Sequence, residues 1–112
     1  MRNLDAASLD VDASNDLIHQ PVRLRIMAAL TVLPIGGGLE FSRLKKLTNA
    51  TDGNLGAHID VLARADYVAV DKAFVGRRPR TTVQATPIGR RAFAEHVAFL
   101  RKIINEFPAA QG

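Results

Sequence analysis

The hydrophobic period of this chain changes once from helical to extended, and the change fixes what lies on either side of it. From Thr51 to Ala65 apolar residues recur at helical spacing, with Leu55, Ile59 and Leu62 at i, i+4 and i+7. After Asp66 the period becomes 2. Tyr67 to Phe74 (YVAVDKAF) alternates as a strand does, and Thr81 to Thr86 (TTVQAT) reads as a second strand. Between them Val75, Gly76, Arg77, Arg78, Pro79 and Arg80 predict a hairpin tip, where Gly permits positive φ and Pro keeps the tip from pairing. A helix therefore feeds directly into a two-stranded ribbon with a basic end.

That helix has two distinct faces. Thr51 or Asp52 supplies the side-chain oxygen that accepts an unpaired N–H of the first turn. Opposite the apolar stripe lie Asp52, Gly53, Asn54, Gly56, Ala57, Asp60 and Arg64, small and polar residues with little bulk to hold a flat or grooved partner away.

Upstream, Ser14, Asn15 and Asp16 offer caps and Pro21 suits a first helical turn. Val22, Ile26, Ala29, Leu30 and Leu33 share one face, which predicts a core helix from Pro21 to about Leu33 with Arg23 and Arg25 off that face. Pro34 and the run Gly36, Gly37, Gly38 end it. No Lys-Ser/Thr pair follows the glycines, so a loose turn accounts for them better than a phosphate-binding loop. Leu39, Glu40 and Phe41 predict a very short strand. Ser42 then caps a helix to Thr48, with Leu44 and Leu47 turned inward beside Phe41 and Arg43, Lys45 and Lys46 outward. With the turn at Asn49 and Ala50, the order is that of a helix-turn-helix.

Downstream, Thr86 as N-cap and Pro87 in the first turn open a helix that runs to about Phe107 and stops at Pro108. Two apolar stripes lie along it, one of Phe93, Val97, Leu100 and Ile104, the other of Ala92, Phe99, Ile103 and Phe107. A face this wide exceeds what a small domain covers and predicts a partner helix, most economically that of a second copy.

Charge is unevenly placed. The net value is +4, but one arginine against four aspartates leaves −3 over residues 1–16, and so +7 over the rest. Lys72 to Arg91 holds Lys72, Arg77, Arg78, Arg80, Arg90 and Arg91 with no acid, a one-sided field that suits a polyanion. At 112 residues one domain is expected, with an acidic arm lacking stable structure over 1–13 and the folded domain over 14–112, its last helix spanning 87–107. The absence of Cys excludes disulfides, thiolate metal sites and Cys nucleophiles. The acidic N-terminus is unlike a secretory signal, and no apolar run approaches the ~20 residues of a membrane span, so a cytoplasmic protein without membrane contact is expected.

No Ser-His-Asp or paired-carboxylate constellation stands at a usable spacing, so no enzyme is expected. His58 lies on the helix before the ribbon in a structural or phosphate-contacting position, and His19 sits at a helix start. His19 with His96 is a conceivable metal or pH-sensing pair, but the lack of Cys and of an i, i+4 His pair argues against a metal. No cofactor is expected. A small-molecule effector has no support beyond an apolar lining that Leu17, Met27, Phe93 and Phe99 offer between the first and last helices.

The order of elements resembles the winged helix-turn-helix of bacterial transcriptional regulators, broadly the MarR and ArsR groups. LIHQPVRLRIMAAL resembles their first helix, NLGAHIDVLARADYVAV their recognition helix running into the wing, and TPIGRRAF the Thr-x-x-Gly start of their last helix. TDGNLGAHIDVL together with FVGRRPRTT is similar to a small branch of single-domain winged-helix proteins. The resemblance covers about Asp16 to Ile104. It implies a mainly α fold with a small β-hairpin and a long C-terminal dimerisation helix, acting as a homodimer on double-stranded DNA.

On that expectation Asp52 to Arg64 enters the major groove, with Asn54 placed for bidentate contact to adenine and Asp52, Gly56, Ala57, His58 and Arg64 beside it. Arg77, Arg78 and Arg80 reach the flanking minor groove or phosphates, while Arg43, Lys45, Lys46, Thr81 and Thr82 touch the backbone. Phe93, Val97, Phe99, Leu100, Ile103, Ile104 and Phe107 form the dimer interface. One departure stands out. Where relatives offer hydrogen-bonding side chains to base edges, this chain has Gly53, Gly56 and Ala57, which leaves direct readout to few residues. The depleted face also keeps open a second reading, a winged-helix module that binds another protein.

Overall fold

A computed structural model describes residues 14–107, so the expected acidic arm and Pro108 lie outside the described residues. The elements are α1 (Asp16–His19), α2 (Pro21–Thr31), β1 (Gly38–Glu40), α3 (Phe41–Thr48), α4 (Asp52–Arg64), β2 (Val68–Val75), β3 (Arg78–Ala85) and α5 (Pro87–Glu106). The three strands form an antiparallel sheet in the order β1-β3-β2. Helices α2, α3 and α4 pack on it, and α1 packs on α2, α4 and α5. The core joins Ile18, Ile26, Met27 and Leu30 to Leu44, to Leu55, Ile59 and Leu62, and to Val68, Val83 and Ala85 of the sheet. Helical periodicity in α4 buries the stripe it selects, while period-2 alternation buries only the half of the ribbon nearest the helices.

The first helix is split. Gln20 holds an extended ψ of 132°, as the residue before a proline prefers, so α1 ends at His19 and α2 begins afresh at Pro21. The Gln20 side chain accepts the Arg23 N–H at 2.9 Å, and α2 ends at Thr31, two residues short of the expected Leu33. Asn15 caps α1 by accepting the Ile18 N–H at 3.0 Å.

The joint between ribbon and last helix explains the Thr-x-x-Gly string. Asp66 leaves α4 with φ +64°, which delivers Tyr67 to the ribbon. Thr86 then donates its hydroxyl to Asp66 O at 2.6 Å and its N–H to Tyr67 O at 3.0 Å, while the same hydroxyl accepts the Gly89 N–H at 2.9 Å. A Cβ on Gly89 would stand 2.0 Å from Tyr67 O. Only glycine lets α5 lie this close to the start of β2.

Three local expectations give way. β1 spans Gly38–Glu40 rather than Leu39 to Phe41, and α3 starts at Phe41 with Glu40 in the cap position, so Ser42 lies inside the first turn and caps nothing. Leu47 is 45% exposed, because the inner side of α3 is Phe41, Leu44 and Thr48, at i, i+3 and i+7. The wing is longer and its tip tighter than expected. Strand pairing continues through Phe74↔Pro79 and Val75↔Arg78, leaving Gly76 and Arg77 as the whole turn. Pro79 is tolerated because β1 reaches β3 only as far as Thr82, so beyond that point one side of β3 is open and a missing N–H breaks no second ladder. Gly76, with φ +63°, meets the requirement of a two-residue hairpin turn for positive φ at its first position.

Candidate nucleic-acid interface

The outer face of α4 is open along its length. Thr51 accepts the Asn54 N–H at 3.2 Å and so fixes the helix start. Asp52, Gly53, Asn54, Ala57, Asp60 and Arg64 are exposed, with Gly56 and His58 half-buried at the margins. A Cβ at Gly53 or Gly56 would meet nothing within 4 Å. Neither glycine has positive φ, so the fold requires neither, although each costs ~0.5–1 kcal/mol relative to Ala inside a helix. They leave the outer face of α4 without side-chain bulk at these two positions.

The two helices of the motif are locked at their junction. Asn49 ends α3 in the left-handed region at φ 56°, and Lys45 Nζ pairs with Asp52 Oδ1 at 2.7 Å across the turn. The ion pair neutralises the acid that stands at the head of α4. It brings together two residues expected at DNA. His58 is turned toward α2, where its Nδ1 accepts from Arg23 Nη1 at 3.0 Å, since a guanidinium only donates. Arg23 in turn donates through Nε to Leu17 O, so α1, α2 and α4 share one polar link. Partial burial and the Arg23 charge hold the His58 pKa below its ordinary value.

Basic and hydroxyl side chains gather between α3 and the wing. Glu40 gives the start of α3 no side-chain cap, which leaves first-turn N–H groups open beside Ser42. Arg43, Lys46, Arg80 and Thr82 line a surface groove there. Glu40 Oε1 holds Arg80 Nε at 3.6 Å, so Arg80 stands at the base of the wing rather than at its tip. Lys72 and Thr81 pair across the ribbon and line the cleft that faces Gly56 and Asp60 of α4. The tip itself presents Arg77 and Arg78, and among the described residues neither has an ion-pair partner. Arg90 leaves the basic set altogether. It donates to Thr31 O and Pro34 O and ties α5 to the end of α2.

The last helix divides the expected dimer residues. Phe93 packs against its own core, Val97 and Leu100 are half-buried, and Phe99 stacks on His96 at a centroid distance of 6.0 Å. From Arg101 to Phe107 every residue is exposed, including Ile104 at 64% and Phe107 at 78%. The final turns therefore project beyond the body that covers the rest.

A buried polar cluster sits where α1, the start of β2 and α5 meet, and it joins His19 and His96, a pair conceivable from sequence, to Asn15 and Tyr67, which pattern reasoning missed. His96, 1% exposed, accepts the Asn15 N–H at Nδ1 (3.1 Å), so the neutral ring carries its proton on Nε2 and donates to His19 Nδ1 at 3.1 Å. Asn15 also donates through Nδ2 to Tyr67 Oη at 3.0 Å. Burial lowers the His96 pKa, the His19 ring adds to that, and Asp16 opposes it. Sequence spacing cannot show the pairing of Asn15 with His96, because they are 81 residues apart.

The helix-turn-helix locked at its turn is followed by one Arg-tipped two-stranded wing, and residues 22–104 match the family of winged helix DNA-binding domains. The chain belongs to this winged-helix family. It is 33% identical over 81 residues to an uncharacterized protein of Methanocaldococcus jannaschii, covering 72% of this chain and 85% of that one. The structure of a transcriptional regulator homologue from Pyrococcus horikoshii superimposes with a TM-score of 0.78 at 30% identity, over 92% of this chain and 99% of the other. A homodimeric winged helix-turn-helix DNA-binding domain from Mycobacterium bovis, described as a possible ArsR-family regulator, shares the fold with a TM-score of 0.62 at 17% identity, over 99% and 97% of the two chains. The fold is thus that of winged-helix transcriptional regulators, and among the described residues no helix is long and apolar enough to cross a membrane.

Proposed function

We propose that this winged-helix protein is a transcriptional regulator that binds duplex DNA as a homodimer and catalyses no reaction. The observation that carries the reading is the outer face of α4. It keeps two helix-weakening glycines facing open space, between basic residues of α3 on one side and an arginine-tipped wing on the other. In the major groove, Asn54 is placed to hydrogen-bond adenine, with Arg64 and Ala57 along the same face and His58 held at its margin by Arg23. Open N–H groups at the start of α3, with Arg43, Lys46, Thr81 and Thr82, contact phosphates and set the register. Lys45 keeps Asp52 from repelling them. Arg77 and Arg78 enter or flank the minor groove, with Arg80 supporting the base of the wing.

The second chain docks on the projecting end of α5, through Ile103, Ile104 and Phe107 together with Phe99 and Leu100. Two such subunits present recognition helices about 34 Å apart, which fits a pseudo-palindromic site. Sedimentation equilibrium is expected to give the mass of two chains, and Ile104→Glu with Phe107→Glu to give the mass of one. A single-chain mass for the wild type contradicts the dimer.

Salt dependence tests the DNA reading. For the wild type, log affinity for duplex falls linearly with log salt. For Arg77→Ala with Arg78→Ala the slope is shallower by about 2, since each lost phosphate contact removes about 0.9 from it. Absence of duplex binding at low salt leaves the protein-binding alternative, which the sparse recognition face also permits.

A further inference from the structure

We infer that the wing carries an apolar wedge, Phe74 with Pro79, that packs into the minor groove and opens the base step beneath it. This rests on the duplex-binding reading above. Phe74 is 74% exposed and pairs across the ribbon with Pro79, itself exposed. Their position follows from strand alternation. Val68 with Ala85, and Val70 with Val83, occupy the face of the ribbon that packs on the helices, and the same face continues outward as Lys72 with Thr81 and then Phe74 with Pro79.

The wedge therefore stands on the α4 side of the ribbon, one pair beyond the cleft where Lys72 and Thr81 face Gly56 and Asp60. Phe74 lies four residue steps beyond Val70, so it projects ~14 Å past the last core pair at ~3.4 Å per residue. Half a duplex turn, the spacing from a major groove to the next minor groove, is about 17 Å. An α4 seated in the major groove thus brings Phe74 to the neighbouring minor groove.

Charge selects the occupant. Arg77 follows Phe74 by three residues and Arg78 pairs opposite Val75, while residues 72–80 contain no acid. A second copy of the chain would set arginines against arginines, whereas a minor groove supplies the negative potential they need. Nothing in the fold accounts for the phenyl ring. An exposed aromatic near the end of an edge strand is a pairing and aggregation liability that small proteins suppress, so its retention points to use. Phe and Pro are among the side chains that wedge between base steps from the minor groove and kink the duplex. Pyrimidine–purine steps yield most easily, so the wedge reads deformability where α4 has few side chains to read base edges.

The test uses the full chain and a duplex selected by the wild type from a random-sequence pool, with 2-aminopurine placed at the step half a turn from the α4 site. Wild-type binding is expected to raise 2-aminopurine fluorescence as the step unstacks. Phe74→Ala is expected to lose roughly ten-fold in affinity, the scale of one lost base contact, to abolish the fluorescence rise and to keep the wild-type salt slope, because an apolar contact releases no counterions. Phe74→Leu, which keeps the hairpin apolar, retains most of the rise. Wild-type binding with an unchanged Phe74→Ala overturns the wedge alone, as does a Phe74→Ala loss accompanied by a shallower slope, which would mean displaced arginines. Failure of the pool to yield any bound duplex overturns the DNA reading and the wedge with it.

Discussion

The joint around Gly89 and the outer face of α4 use glycine in opposite ways. At Gly89 a Cβ would stand 2.0 Å from a backbone oxygen, and polar groups around it are paired: Thr86 with Asp66, Tyr67 and Gly89, and Asn15 with Ile18, Tyr67 and His96. At Gly53 and Gly56 a Cβ would meet nothing. The first region is determined by packing within the chain. The second is left unexplained by packing and becomes intelligible only with a partner in contact. The difference separates residues that build the winged helix from residues that use it.

Breaking the joint should have the largest effect. Gly89→Ala forces α5 away from Tyr67 and is expected to destabilise by ~3 kcal/mol or more, as overpacking against backbone does, measured by urea unfolding. A change under ~1 kcal/mol would show that α5 shifts freely and that the joint is not tightly determined. The polar cluster beside it should show itself through pH. Both His96 and His58 have folded pKa values below the ordinary 6.5, so the unfolded chain takes up protons first. Their contribution is complete above pH 6.5 and is lost as the pH falls below it toward the folded values. Protonated His96 would set an N–H against the Asn15 N–H it now accepts. His96→Gln is therefore expected to flatten the loss of stability between pH 7 and 5. Equal slopes for variant and wild type would remove His96 from the account.

Much of the fold was legible because its patterns are local. Leu55, Ile59 and Leu62 lie on the buried face of α4, Thr51 and Thr86 cap the helices they precede, and the period change at Asp66 marks the start of the wing. Boundaries set by long-range pairing were less legible. The ribbon extends through Pro79 because β1 pairs along β3 only as far as Thr82, which the sequence of the tip does not reveal. Arg90, counted with the basic run, faces inward because α5 is oriented by Gly89. The basic residues of the interface could be assigned to elements from sequence, but the Lys45 to Asp52 pair, the Arg23 hold on His58 and the Glu40 contact of Arg80 required the fold. Phe74 ended a predicted strand and drew no notice, since alternation marks a face without saying where the core stops.

The comparison is tested most directly at the open glycines. Gly53→Ala with Gly56→Ala should raise stability by about 0.5–1 kcal/mol per site, since helix propensity improves and the added methyls meet no atom. The decisive measurement is the affinity of that double variant for the duplex that the wild type selects, at fixed salt. A more stable protein that binds more weakly is the predicted result. Affinity equal to or above that of the wild type would show that the glycines serve no close approach and would contradict the assignment of α4 as the DNA-facing helix.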